Sequence, residues 1–525
     1  MKKLSFFLGL IITVTIFQSC KKDGSSAMSL SVEDEAALAF IPSTAASVNT
    51  VNMKSLMDKM DFEEVKNMEF YQNMMNEAKN DRPELVYLMQ DPTQSGIDLS
   101  KNVYMFSDME NPKEGGYMGT VFSINDATQF LEMLQKGKQN GELTIEEKAG
   151  LKVVQIGSNA AIAFNENTAI AVSGTFNVDN FQIDSDNANE ANNAADRAVK
   201  MFTEKPSNNI ASNKDFNKNF TGNHDFFSFQ SSSFVADMVD EDYEMYLNSF
   251  DITKEDLKDN YTVSYADFKD GKMEARQEFH LNPKVKELAG AIVKEDVNTN
   301  FSKFIPADNL IGVMTGGVNM KGINTLLEEQ LGATMSADMM MNSVGISRDD
   351  IMKAIDGDIF VAGYGNGAKD APDMLVGMKI ADQKSMDKIL EAAKATRMMS
   401  SIGDDTYEIK IPFTSSNYKI VVKKDMMFVG QGDIVSTVAS GKFKKADAKD
   451  LNKGSFGMYA DMASLKSMFP KLNIDEAGEF RASGDLDGSV STMTFDNKNQ
   501  NSLKIFMKMV NEFYKSSNGD KGLNM

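Results

Sequence analysis

One thiol, two imidazoles and a surplus of thioethers and carboxylates are the reactive side chains of this sequence. The histidines, His224 and His280, have no short-range partner of the kind a His-Glu-x-x-His zinc site needs. His224 stands beside Asp225 and His280 ends a predicted strand, so each reads as a surface or strand-end residue rather than a general base. No Gly-x-Ser-x-Gly elbow presents a serine nucleophile. Gly363-Tyr364-Gly365-Asn366-Gly367 lacks the lysine of a phosphate loop and reads as a turn. Asp184-Ser185-Asp186 opens like a calcium loop, but Ala188 takes the third ligand position and the required glycine is missing. Acid pairs such as Glu63-Glu64 and Asp404-Asp405 are commonplace among 76 acidic residues, although a glycosidase pair is defined in space and could hide among them.

Methionine is the compositional outlier, with 38 residues. It clusters at Met53-Met57-Met60, at Met335 with Met339-Met340-Met341, at Met398-Met399 and at Met426-Met427. Thioethers suit Cu(I). Most of these positions, however, fall at helical spacing or inside strand runs, where methionine fills irregular core gaps. The expectation is that catalytic residues are unknown, with no cofactor and no metal ligand.

The lone cysteine, Cys20, is different. Lys2 and Lys3 precede an apolar run from Leu4 to Phe17, shorter than the ~20 residues a bilayer span needs. A positive head, a short apolar core and a small-residue exit make a secretory signal peptide. The exit, Phe17-Gln18-Ser19-Cys20, resembles the bacterial lipobox, with phenylalanine in place of the usual leucine. That resemblance implies cleavage before Cys20 and acylation of its thiol. Residues 1–19 would then be a removed signal peptide and 20–35 a lipidated cysteine and flexible tether. Each buried CH₂ of an acyl chain contributes about 0.8 kcal/mol, so several chains hold firmly. By resemblance to lipoprotein sorting rules, Lys21 implies the outer membrane. Lys21-Lys22-Asp23 partly resembles a surface-export signal, which leaves the periplasmic face and the cell surface both open. With its one thiol acylated, the chain can form no disulfide and no thiolate metal site.

Hydrophobic residues make up 42% and charged residues 25%, as in a folded chain of two or three domains. The formal charge of -21 becomes -23 once Lys2 and Lys3 are removed. Such a chain repels nucleic acid and anionic headgroups. There is no tryptophan, so a carbohydrate platform would rest on tyrosine or phenylalanine.

The elements that must position these side chains occur twice. Val51-Asn52-Met53-Lys54 recurs as Val318-Asn319-Met320-Lys321, each reading as strand into helix. Tyr117 to Ile124 leads through a capping Asp126 into Phe130, Met133 and Leu134. Leu375 to Ile380 leads through Asp382 into Met386, Ile389 and Leu390 at the same offsets. Leu151 to Val154 corresponds to Tyr407 to Lys410, and a hairpin-like pair follows each. Finally, Asp270-Gly271 and Asp487-Gly488 each stand between alternating strands, the signature of a two-residue type I′ turn. A helix follows each, over 284–293 and 502–514. The expected class is α+β: two tandem related copies, each a mostly antiparallel sheet with helices packed on one face. Copy one spans 36–295, with an Asx-rich insert near 184–195, a helix from Asp196 to Thr203 and a loop from Lys205 to Asn223. Copy two spans 300–525.

Phe40-Ile41-Pro42, Ala46-Ser47-Val48 and Asn52-Met53-Lys54-Ser55-Leu56, behind a lipoprotein-like start, resemble an uncharacterised lipoprotein family of Bacteroides-like bacteria, domain of unknown function 4836. The resemblance implies location and lineage and lends no catalytic residue. The resulting expectation is a non-catalytic outer-membrane lipoprotein, a scaffold or binding module of the cell envelope. It would meet the membrane through its N-terminal lipid, avoid nucleic acid, and take an unknown protein or polymer ligand. The alternatives are a carboxylate-dependent hydrolase of envelope or dietary polymers and a copper-handling protein.

Overall fold

The computed structural model describes residues 30–519 apart from 82, 110–115, 137–144, 157–159, 174–175, 178–181, 184–189, 207, 240, 249, 331–341, 343–344, 366–371, 397–398, 404, 411–416, 432, 448–450 and 469–475. Cys20, the signal segment, Asp184 to Asp186, Met335 and Met339 to Met341 lie outside these residues. The chain forms two compact units. The first comprises Lys22–Met245, Thr253–Asn282 and Asn497–Met525, and the second Tyr246–Ile252 and Pro283–Asp496.

The first unit holds β1 (Ala45–Asn52), β2 (Asn102–Asp108), β3 (Tyr117–Ser123), β4 (Ile145–Lys148), β5 (Leu151–Ile156), β6 (Ala160–Phe164) and β7 (Thr168–Ser173). A small separate hairpin of β8 (Phe176–Asn177) and β9 (Gln182–Ile183) follows. β10 (Phe226–Ser231), β11 (Tyr261–Lys269) and β12 (Lys272–His280) complete the unit. The sheet runs β4-β5-β6-β7-β3-β2-β1-β10-β11-β12, every neighbour antiparallel. The second unit holds β13 (Leu310–Gly317), β14 (Ile355–Tyr364), β15 (Asp373–Ile380), β16 (Met399–Gly403) and β17 (Thr406–Lys410). Then come β18 (Asn417–Lys423), β19 (Met426–Gly430), β20 (Phe456–Asp461), β21 (Ala477–Asp485) and β22 (Gly488–Phe495). Its order is β16-β17-β18-β19-β15-β14-β13-β20-β21-β22, again antiparallel throughout. Taken in chain order, the two sheets follow the same path.

The class is α+β, but helices pack on both faces of each sheet, over part of its width, rather than on one. β6 explains why: Ala161 and Ala163 join a core with the helix Glu190–Thr203, while Ile162 and Phe164 join another with the helix Ala127–Lys136. Successive strand residues point to opposite faces, so a run of four apolar residues needs cover twice. The second unit repeats this. Val421 and Phe428 pack with Val435 and Val438, while Ile420 and Val422 pack with Met386 and Leu390. Met426 is fully buried in the first of these cores and Met427 packs against the second, the gap-filling role expected of them.

Other boundaries shift for local reasons. A helix, Val32–Leu38, begins inside the expected tether, because Ser31 caps it at Asp34 N (3.0 Å) and Glu33, Asp34 and Glu35 fill its first turn. The helix expected from Asp196 begins at Glu190, inside the expected Asx-rich insert. The expected loop over 205–223 contains a 3₁₀ turn, Ile210–Ser212, and a helix, Lys214–Asn219, whose Phe216 is wholly buried. Asparagine-rich composition concealed it, although Asn213 is the cap that starts it. Gly363 and Tyr364 lie in β14 rather than in a turn.

Neither Asp-Gly hairpin is type I′. Positive φ is confined to the glycines, 66° at Gly271 and 146° at Gly488. Gly271 N donates to Gln500 O (2.8 Å), a tertiary bond that sets the first turn. In the second, Asp485 pairs with Gly488, so the loop is Leu486-Asp487, held by Asp487 N donating to Asp485 (2.9 Å).

The same close packing recurs at the middle of both sheets. Phe106 faces Gly119 across β2 and β3, and Phe360 faces Gly377 across β14 and β15. A Cβ at Gly119 would lie 2.3 Å from the Phe106 ring, and one at Gly377 2.0 Å from the Phe360 ring. Each ring lies over the glycine opposite. Gly119→Ala and Gly377→Ala are each expected to destabilise their own unit by about 1–3 kcal/mol through overpacking. Hydrogen-exchange protection of the two strand pairs measures this, and a neutral result at either glycine contradicts the packing described.

Candidate functional site

His224, read from the sequence as a surface or strand-end residue, has a carboxylate partner, and it is not the neighbouring Asp225. β10 and β11 bring His224 Nδ1 to 2.8 Å from Asp267, not onto adjacent Asp225. The imidazole also leans on the Tyr265 ring, centroids 4.5 Å apart. Burial pushes the Asp267 carboxyl up, but the hydrogen bond and charge of His224, with Asp225 N, outweigh it and hold the acid below its usual range. Asp225 itself is turned inward and is wholly buried. Its carboxylate accepts from Ser55 Oγ (2.5 Å), from Lys59 Nζ on both oxygens (2.6 Å each) and from Phe268 N (2.6 Å).

Ser55 and Lys59 reach Asp225 because they are four residues apart on the helix Met53–Met60, one turn of one face. Asn52 starts that helix by accepting from Ser55 N at 3.0 Å. Serine, lysine, histidine and aspartate therefore meet at the junction of β1, β10 and β11. What they can do is set by which group each one donates to. Ser55 Oγ donates to Asp225, and Lys59 Nζ donates to both oxygens of the same group. A serine-lysine nucleophile needs the amine to accept from the hydroxyl, whereas here both side chains donate to Asp225. The cluster is a clamp that ties a helix to two strands.

The second unit contains a comparable clamp made from different positions. Asp358 on β14 is wholly buried. It accepts from Lys294 Nζ (2.7 Å), Thr299 N (2.8 Å) and Thr299 Oγ1 (2.6 Å). Lys294 also donates to Asp356 (2.5 Å). Burial pushes the Lys294 amine down, but the hydrogen bonds and charges of Asp356 and Asp358 outweigh it and keep the amine protonated. Asn319 starts the following helix, Met320–Gln330, by accepting from Gly322 N (3.0 Å), as Asn52 does in the first unit.

Elsewhere, His280 ends β12, stacked on Tyr261 at 4.2 Å. Glu64 pairs with Lys504 and Lys508. Among the described residues no three His, Cys, Asp or Glu side chains converge as a metal site would require. Sequence reading singled out neither clamp. The available signal was the Asn-x-x-Ser-x-x-x-Lys spacing from Asn52 to Lys59, which marks a capped helix and cannot name a partner 166 residues away.

No helix among the described residues is long and apolar enough to cross a membrane. No curated protein matches the chain. A solved structure described as crystal form I of TP0453 aligns at 7% identity and a TM-score of 0.27, covering 49% of this chain and 86% of that one, too remote to bear on fold or activity. The family model for a domain of unknown function, DUF4836, matches residues 38–476. The described body of this chain, clamps included, therefore belongs to the DUF4836 family.

Proposed function

We propose that this chain is a lipid-anchored, non-catalytic binding module or scaffold of the bacterial outer membrane, built by tandem duplication of one α+β unit. The observation that carries the non-catalytic reading is the state of the two wholly buried aspartates. Asp225 and Asp358 are each saturated by a lysine ammonium, a hydroxyl and a backbone N–H. Groups so committed hold a fold together and are not themselves free to serve a substrate as acid or base. The duplication is supported by the shared strand order, the paired asparagine caps and the repeated Phe–Gly contact. Anchoring is supported by the Phe17-Gln18-Ser19-Cys20 exit of the signal-like segment.

Cys20→Ala tests the anchor. The wild-type chain is expected to be processed, to incorporate labelled palmitate and to partition into Triton X-114. The variant is expected to keep its precursor length and to incorporate no label. Unchanged processing and labelling in the variant would remove the anchor from the proposal.

A further inference from the structure

We propose that the outer face of the second unit's sheet, across β20, β13, β14 and β15, docks an amphipathic helix of a partner protein whose apolar stripe is flanked by basic residues. Met314, Val361 and Met374 on this face are 55%, 37% and 39% exposed. Met314 pairs with Met458 on one side and Val361 on the other, and Val361 pairs with Val376. Every outward position on the four strands is Met, Val, Ile, Phe, Ala or Gly. The fold does not demand this. The matching strands of the first unit interrupt the apolar run there with Ser47, Asn49, Ser107, Thr120 and Ser228, set beside Met105 and Met118.

Three features choose the occupant. The face continues one that already binds a helix: on the adjoining strands, Ile420, Val422, Met427 and Val429 are covered by the helix Gln383–Ala395. Four strands at about 4.8 Å spacing and three outward residues each make a patch of roughly 300 Å². That is far below the ~800 Å² per partner of a stable dimer, yet it suits a helix ~10 Å wide and about three turns long. Charge sets the flanks: on a chain of net charge -21, basic residues beside the apolar stripe are favoured. Methionine makes such a surface adaptable to different apolar stripes.

The inference rests on the binding-module reading but not on the anchor, so the soluble chain lacking residues 1–20 serves as the probe's target. The probe is a fluorescent leucine-lysine peptide of about four turns with its leucines on one face. Its control has the same composition with the leucines spread around the helix. Micromolar binding of the first peptide alone is expected, weakened about tenfold or more by Met314→Asn or Val361→Thr. Neither substitution alters net charge, and circular dichroism checks that the fold is retained. Equal binding of both peptides, or binding indifferent to both substitutions, overturns the proposal. Self-association lost in Met314→Asn would assign the face to a second copy. Binding to phosphatidylcholine vesicles lost in the same variant, without peptide binding, would assign it to lipid. Either result also overturns it.

Discussion

Lys59→Met is expected to destabilise the first unit by about 3–5 kcal/mol, more than any surface substitution. The Asp225 side chain is 1% exposed, so removing its cation strands a carboxylate that water cannot reach. Ser55 Oγ and Phe268 N would remain bonded to it, but two neutral donors do not repay the cost of burying a charge. Lys59→Met combined with Asp225→Asn should recover part of the loss, since an amide oxygen still accepts from Phe268 N. Hydrogen-exchange protection over residues 53–60 and 226–231 reads the effect in the first unit alone. A loss under about 1 kcal/mol, typical of an exposed ion pair, would show that Lys59 does not act as the counterion.

Ending the chain after Asp496 is expected to unfold the first unit while sparing the second. The helix Ser502–Gly519 follows β22 in sequence, but it belongs to the first unit, against the helices Met53–Met60 and Glu69–Asp81. Leu503 packs with Leu56 and Phe268, and Ile505 is wholly buried. These two side chains together contribute roughly 3–6 kcal/mol. Asn511 accepts from Phe70 N (3.2 Å), and Lys504 bridges Asp61 and Glu64 (2.6 and 2.8 Å). The complementary segment, Pro283–Ile292, follows β12 yet belongs to the second unit, where it packs so closely that a Cβ on Gly322 would lie 2.0 Å from Ala291 O. The tandem division at 295 and 300 therefore does not coincide with the compact units. If exchange protection were lost from β13 to β20 instead of β1 to β11, this partition would be wrong.

Much of the fold was legible in the sequence because its signals are local. Asn52, Asn319, Asp126 and Asp382 all cap helices, since a short side-chain oxygen satisfies a free first-turn N–H wherever the chain turns from strand to helix. Phe130, Met133 and Leu134 are buried as their spacing required. The hairpin strands over 261–280 and 477–495 form as expected, but their turns escaped local reading because Gln500 and Asp485 decide them.

By itself the sequence determined the starts of four helices and the hairpin strands over 261–280 and 477–495, because caps and periodicity act within a few residues. Only the tertiary structure decided which unit receives the last helix, which lysine neutralises Asp225 and Asp358, and that both sheet faces are covered at β6. Each of those outcomes depends on groups far apart in the chain meeting out of water, where an unpaired charge or an uncovered apolar face carries its full free-energy cost.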